Sequence, residues 1–194
     1  MTRCWTTSDP AYLAYHDDEW GRPVTDERGL YERLCLEGFQ SGLSWLTILR
    51  KRDNFRAAFA GFDPEAVARF GERDIERMLQ DAGIVRHRGK IEAAVANARG
   101  TLDLREAGTP LEELVWSHRP DPAPGPPRGW EDWRTTTPEA TALSNRLKRN
   151  GFRFVGPTTV YAAMQACGVV NDHLADCFVR DEVERERAAV LSPA

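Results

Sequence analysis

Two cysteines and two histidines at opposite ends of the chain form the first set of residues able to do chemistry: Cys4 and His16 near the start, His173 and Cys177 near the end. His173 and Cys177 are spaced so that both side chains fall on one face of a helix. Two sulfurs and two imidazoles suit zinc in a closed, four-coordinate structural site. One such ion would clamp the N-terminal segment to the C-terminal helix and tie down two ends that otherwise fray. The gap between Cys4 and His16 is no standard metal signature. Spacing alone therefore leaves a second reading open, with the histidines as ordinary polar residues and the cysteines as small hydrophobes. Cys35 and Cys167 fall at helical core positions and carry no assigned chemistry. Four cysteines so scattered do not make a secreted disulfide scaffold.

A second set centres on Glu37, which stands between Leu36 and Gly38 in an apolar stretch with Trp45 just beyond; Trp5, Tyr12, Tyr15 and Trp20 gather near the N-terminus. Aromatic side chains mostly fill cores. A glutamate buried among them must be paired, protonated or functional. A carboxylate between aromatic faces suits a planar cationic ligand. The third set is Arg153-Phe154-Val155-Gly156-Pro157-Thr158-Thr159-Val160-Tyr161. A tight Val-Gly-Pro turn leading into a new helix exposes backbone N–H groups at a helix N-terminus, where a phosphate binds readily. Gly156 allows the backbone to approach that phosphate closely, and such hairpins grip DNA backbone without reading sequence. A plain helix–helix corner is the alternative, and the surrounding basic residues favour the phosphate site.

The elements that must position these groups read as helices throughout. Asp26 caps a helix from about Glu27 to Glu37, and Ser44 caps the next. Asp63-Pro64 opens a short helix closed by Gly71; residues 72–82 end at Gly83, a left-handed cap. Lys90–Leu104 and a short helix from Thr109-Pro110 follow. The stretch Pro120–Pro127 holds too many prolines for helix or central strand, so about 119–137 is an extended surface loop, with Trp130 and Trp133 pinning its far end. Helices resume at Pro138, stop at Gly151, restart near Pro157 and run from about Asn171 onward. No segment alternates with period two, so the class is all-α, and 194 residues suit a single domain with a C-terminal tail after about 178.

The net charge of −4 argues against holding polyanions by bulk attraction. Its distribution qualifies that: residues 141–168 carry Arg146, Lys148, Arg149 and Arg153 with no acid, and Arg86, Arg88 and Lys90 form a second basic cluster. One positive face toward a phosphate backbone is one reading, solvated helix ends the other. No apolar stretch approaches the roughly 18 residues of a membrane span and the N-terminus has no signal-peptide run, so a cytoplasmic protein is expected.

Several of these segments resemble signatures of the bacterial 3-methyladenine DNA glycosylase I family. They are Tyr12-Leu13-Ala14-Tyr15-His16-Asp17-Asp18-Glu19-Trp20-Gly21, Leu36-Glu37-Gly38-Phe39-Gln40-Ser41-Gly42-Leu43-Ser44-Trp45, Gln80 through Ile91, Phe152 through Val155, and Met164 through His173. The similarity runs in matching order from about residue 3 to 177. The proline-rich loop and the tail after Cys177 depart from it without touching a motif. The resemblance implies an all-α helix-hairpin-helix glycosylase in which Cys4, His16, His173 and Cys177 hold one zinc ion. Four protein ligands leave no open position for water, which makes that metal structural. It further implies that Glu37 recognises the flipped base, that Tyr12, Tyr15 and Trp45 line its pocket, and that Trp5 lies nearby. The family lacks the catalytic aspartate of the wider superfamily; Asp172 lies close to where one would be sought.

The activity so implied is hydrolytic excision of 3-methyladenine from alkylated double-stranded DNA. It releases the free base and leaves an abasic site, and it comes from a monomer that touches no membrane. No lysine is placed as a pocket nucleophile, so no strand cleavage is expected. Two rivals stand beside it: a zinc-clamped DNA-binding module without activity, and a metal-dependent hydrolase, which would need an open coordination position.

Overall fold

The structure is a computed structural model and describes residues 1–191; of the C-terminal tail, residues 192–194 lie outside the described residues. Among the described residues ten α-helices follow one another: α1 (Pro10–Asp18), α2 (Glu27–Gln40), α3 (Trp45–Ala58), α4 (Pro64–Ala68), α5 (Glu72–Gln80), α6 (Arg88–Glu106), α7 (Leu111–Trp116), α8 (Pro138–Arg149), α9 (Pro157–Ala166) and α10 (Arg180–Leu191). Among the described residues the only extended pairing is an isolated bridge between Thr2 and Cys177. Among the described residues no helix is long and apolar enough to cross a membrane.

Local chemistry starts most of these helices. Asp9, Asp26, Ser44, Asp63 and Thr137 each accept a backbone N–H of the first turn they precede, satisfying donors the helix cannot pair itself. Prolines 10, 64, 138 and 157 follow at the first position, where a missing N–H costs nothing. Two glycines act otherwise than the sequence suggests. Gly71 is the extended residue preceding α5, which starts one residue later, and α4 already stops at Ala68. Gly83 has no left-handed backbone, because α5 ends at Gln80 and the Asp81 carboxylate turns the chain by accepting the Gly83 N–H at 2.7 Å.

Helix α2 is the centre. It packs against α3, α6, α7 and α9, and Leu30, Tyr31 and Leu34 through Phe39 are buried, as befits a helix enclosed on most sides. Phe39 continues into a row of rings, Phe55, Phe59 and Phe62, with centroids 4.6 to 6.3 Å apart and all fully buried. Each such ring contributes on the order of 2 kcal/mol by leaving water. Lys90, buried in the first turn of α6, donates its ammonium to the Phe39 and Ser41 carbonyls and so closes the C-terminus of α2. The expected basic cluster at 86–90 is divided: Lys90 is buried and caps a helix, Arg88 pairs at the surface with Glu72 and Glu76, and Arg86 is exposed.

The turn between α8 and α9 is clamped from two sides. The Asn97 amide on α6 accepts the Arg153 N–H at 2.7 Å and donates to the Arg153 carbonyl at 3.2 Å. Ser144 on α8 donates to the Val155 carbonyl at 2.6 Å. Within the turn Gly151 takes φ +80°, as glycine readily does, and Phe154 takes φ +55°, which an aromatic residue does only where its surroundings hold it there.

The last segment departs most from expectation. No helix starts at Asn171. Residues 168–179 are turns, and α10 starts at Arg180. Gly168 at φ +71° turns the chain out of α9. The carbonyls of Asn171 and His173 are taken by the Arg180 guanidinium and that of Asp172 by the Trp133 indole. With side chains satisfying these acceptors, helical bonds are not required. Helix α10 then docks through buried Arg187, which donates to the Gly168 and Val169 carbonyls.

Replacing Asn97 with alanine leaves the Arg153 N–H and carbonyl without their partners and is expected to cost about 2 kcal/mol in urea unfolding. Arg50→Ala, which removes an ion pair whose arginine is 63% exposed, is expected to stay within about 0.5 kcal/mol.

Candidate functional site

The His173–Cys177 spacing works through a turn, not a helix face: the Cys177 N–H bonds the Leu174 carbonyl at 2.9 Å and folds the segment back beside Cys4. The ligand atoms of Cys4, His16, His173 and Cys177 lie within 4.8 Å of one another, and all four residues are buried. Sulfur–nitrogen separations are 3.3 Å from Cys4 to His173 Nδ1, 3.4 Å from Cys177 to His173 Nδ1 and 3.5 Å from Cys177 to His16 Nε2. The outer ring nitrogens have their own acceptors. His16 Nδ1 lies 2.8 Å from an Asp17 oxygen, and His173 Nε2 lies 2.9 Å from the Trp20 carbonyl. With protons held on those outer nitrogens, both inner nitrogens keep their lone pairs, as metal-ligating histidines do, and that of His16 Nε2 accepts the Cys4 backbone N–H at 3.1 Å. Arg3 braces Asp17 with a two-pronged bond. The Cys177 thiol is held well below its ordinary range, first by the Cys4 thiol hydrogen-bonded to it and then by the two histidines. The donor set, its burial and its outer partners fit one tetrahedral ion with no position left for water.

The same pairing aligns the wall of a cavity. Trp5 follows Cys4, Tyr15 precedes His16, and Trp20 lends its carbonyl to His173. These rings, with Tyr12, line a cavity of about 470 Å³ together with Glu37, Gln40 and Trp45. Trp5 and Tyr12 have centroids 5.1 Å apart, and Tyr15 and Trp45 5.2 Å. The indole N–H groups of Trp5 and Trp45 are buried without an acceptor, so the lining includes donors still to be satisfied. The proline-rich loop is more than a surface excursion. Trp130, Trp133, Arg134 and Thr135 complete the cavity wall, a contribution that only its two tryptophans hinted at in the sequence. Trp133 pins the loop through its bond to Asp172, whereas Trp130 is 59% exposed.

Glu37 is 6% exposed. Burial pushes its carboxyl up to about 8, and the nearby Arg33 guanidinium offsets only part of that. Arg33 itself is held by Glu19 at 2.9 Å and lies 5.7 Å from the Tyr15 ring centre. Tyr15 and Tyr12 are pushed up by burial first, so both phenols keep their protons. Asp172, by contrast, accepts hydrogen bonds from Tyr161 at 2.6 Å and Gln165 at 2.8 Å, and it lines an adjoining cavity under the proline-rich loop, not the aromatic one.

The hairpin residues lie beside this cavity. Thr158 and Thr159 share a smaller recess of about 340 Å³ with Glu37, Gln40 and Leu43. Thr158 is exposed, and α9 has no side-chain cap, so its first N–H groups are open to a ligand. Nothing lies within 4 Å of where a side chain would start at Gly156, and its φ of −63° is open to any residue, so it gives room, not a special turn. Val155 is core, and Arg153 pairs with Glu92 at 3.6 Å. Arg146, Lys148 and Arg149 at the end of α8 are exposed.

The family model described as methyladenine glycosylase matches residues 5–180. DNA-3-methyladenine glycosylase 1 of Escherichia coli strain K12 is 51% identical over 181 residues, covering 91% of this chain and 96% of that protein. A crystal structure of 3-methyladenine DNA glycosylase I superposes with TM-score 0.87 at 50% identity, covering 91% of this chain and 98% of that one. A point variant of 3-methyladenine DNA glycosylase I, crystallised with 3-methyladenine, superposes with TM-score 0.87 at 39% identity, over 93% of this chain and 98% of that one.

Elemental analysis of protein purified without added metal is expected to find about one ion per chain, lost in Cys177→Ser. Stripping the ion should lower the melting temperature by on the order of 10 °C or more. A stripped protein that melts as before but works more slowly would contradict a structural metal.

Proposed function

The chain belongs to the methyladenine glycosylase family, and we propose that it excises 3-methyladenine from alkylated DNA by the following division of labour among its residues. The observation that carries this reading is the buried Glu37 carboxyl facing a cavity of aromatic rings, a site built for a flat cation. Methylation at N3 makes adenine cationic in the nucleotide and weakens its glycosidic bond, so the enzyme has more need of selection than of acceleration. The damaged nucleotide leaves the duplex at a cost of a few kcal/mol, less than an intact one.

In the cavity Trp45 stacks on the base, worth about 1–2 kcal/mol once water is excluded, with Tyr12, Tyr15 and Trp5 closing round it. Glu37 accepts a hydrogen bond from the exocyclic amine and balances the positive charge. A carboxyl raised to about 8 is mostly protonated at neutral pH, and a cationic base favours its ionised form, whereas neutral adenine offers no such compensation. Water then bonds to the anomeric carbon of the sugar and loses a proton to solvent. The carbon–N9 bond breaks with its electrons passing to the base, which departs as neutral 3-methyladenine and leaves an abasic site. The three lysines do not reach the cavity: Lys51 donates to Ala82, Lys90 caps α2 and Lys148 lies on α8. No lysine is therefore placed to trap the sugar, and the enzyme leaves the strand intact.

DNA backbone is gripped by the turn from Arg153 to Thr159, read as a helix-hairpin-helix. The open N–H groups of α9, the room at Gly156 and the Thr158 and Thr159 hydroxyls meet a phosphate, Val155 anchors the turn, and Arg153 with the exposed cations of α8 supplies charge. Zinc is the ion suited to the Cys4, His16, His173 and Cys177 set; it cross-links the two ends of the chain and takes no part in the reaction. A monomeric cytoplasmic enzyme acting on double-stranded DNA, one glycosylase domain over residues 1–194, completes the proposal.

Glu37→Gln is expected to lower 3-methyladenine release by at least about tenfold while binding to abasic DNA persists; unchanged release would remove Glu37 from its role. The same variant should melt higher than wild type. The wild-type carboxyl is raised from its ordinary 4.5 to about 8, so the folded state holds the proton more tightly than the unfolded one. Ionisation then destabilises the wild type as pH rises through that window, and the gap between the two proteins should widen up to about pH 8 and level off above it.

A further inference from the structure

The cavity has one cationic side chain in its lining, Arg134, and recognition of a cationic base gives it nothing to do. A guanidinium would repel such a base. Arg134 is exposed and, among the described residues, pairs with no acid. Its neighbour Asp172 is already engaged by Tyr161 and Gln165. The acids beside it in sequence are turned elsewhere: Asp132 accepts the Arg128 backbone N–H at 2.8 Å, and Glu131 folds back over Gly129.

Beside Arg134 stands Trp130, 59% exposed, its ring 4.6 Å from Trp133. Trp133 is fixed by its bond to the Asp172 carbonyl and by ring contacts with Trp5 and Trp20. An exposed indole and an unpaired guanidinium are thus held on a braced wall at the mouth of the cavity. A base inside that cavity remains joined to its sugar, so the flanking phosphates must come to the mouth.

We propose that Trp130 and Arg134 form a second DNA contact at the rim, separate from the hairpin. Arg134 pairs with a phosphate flanking the flipped nucleotide, and Trp130 stacks on an adjacent base or sugar of the same strand. The contact rests on the glycosylase reading above and adds to it a surface built by the proline-rich loop.

The test is binding of a duplex with one abasic site across a series of salt concentrations, beside release of 3-methyladenine by the wild type. Arg134→Gln is expected to bind about tenfold more weakly at low salt and to reduce the slope of log affinity against log salt by about 0.9, one phosphate contact. Arg134→Lys should restore the slope. Trp130→Ala should weaken binding by at least about fivefold with the slope unchanged. Calorimetry should find free 3-methyladenine bound by Arg134→Gln as by the wild type. A wild-type slope in Arg134→Gln, or undiminished binding by Trp130→Ala, overturns the rim contact while wild-type excision keeps the glycosylase reading intact. Weakened free-base binding by Arg134→Gln would also overturn it, placing the arginine against the base. Absence of release by the wild type would instead remove the reading on which the rim depends.

Discussion

Everything in the site depends on the two ends of the chain being held side by side. Cys4 and Cys177 approach the same two imidazoles, and the outer nitrogens of those imidazoles are fixed by Asp17 and by the Trp20 carbonyl. Trp5, Tyr15 and Trp20 are sequence neighbours of this cluster or bonded to it, so positioning the ligands positions the rings. Segment 168–179 has no regular structure to stiffen it; its rigidity comes from the cluster on one side and from Arg180 and Trp133 on the other. An ion bound only by the folded chain adds its binding free energy to folding. Here that energy would go directly into the geometry of the pocket.

The second constraint is a carboxyl with no partner. A buried glutamate without a hydrogen bond is destabilising, and a core selected for stability alone would not keep one. Placed on α2, the most enclosed helix, Glu37 is surrounded by packed rings and held away from water, with Arg33 supplying partial compensation. Such a group is satisfied best by a ligand that brings positive charge and a donor together. If Glu37 faces the base, selectivity for a charged, methylated base over the neutral adenines of intact DNA follows from desolvation, and a cationic 7-methylguanine is refused because it carries a carbonyl where adenine offers Glu37 its exocyclic amine.

The starts of α2, α3, α4 and α8 were legible because caps are local: an aspartate, serine or threonine, with or without a following proline, decides where each begins. Glu37 stood out because a charged residue amid apolar ones is conspicuous whatever the fold. What could not be read depends on partners far away in sequence. The spacing of His173 and Cys177 looks helical, yet Gly168, Arg180 and Trp133 make a turn of it. Arg88 and Lys90 resemble a DNA-facing cluster until Glu72, Glu76 and the end of α2 claim them. Arg153 is legible as a basic residue of the turn, but neither its pairing with Glu92 nor the Asn97 clamp on its backbone is. The loop rich in proline signalled irregular backbone, but nothing local showed that it returns to complete the aromatic cavity.

The central claim is that a buried carboxyl among aromatic rings selects one alkylated base. It is tested most directly by incubating the purified protein, without added metal, with duplex DNA treated with a methylating agent and separating the released bases by chromatography. The account predicts free 3-methyladenine and essentially no 7-methylguanine. Release of both bases alike would contradict a selective pocket, and release of neither by folded, metal-loaded protein would contradict the activity itself.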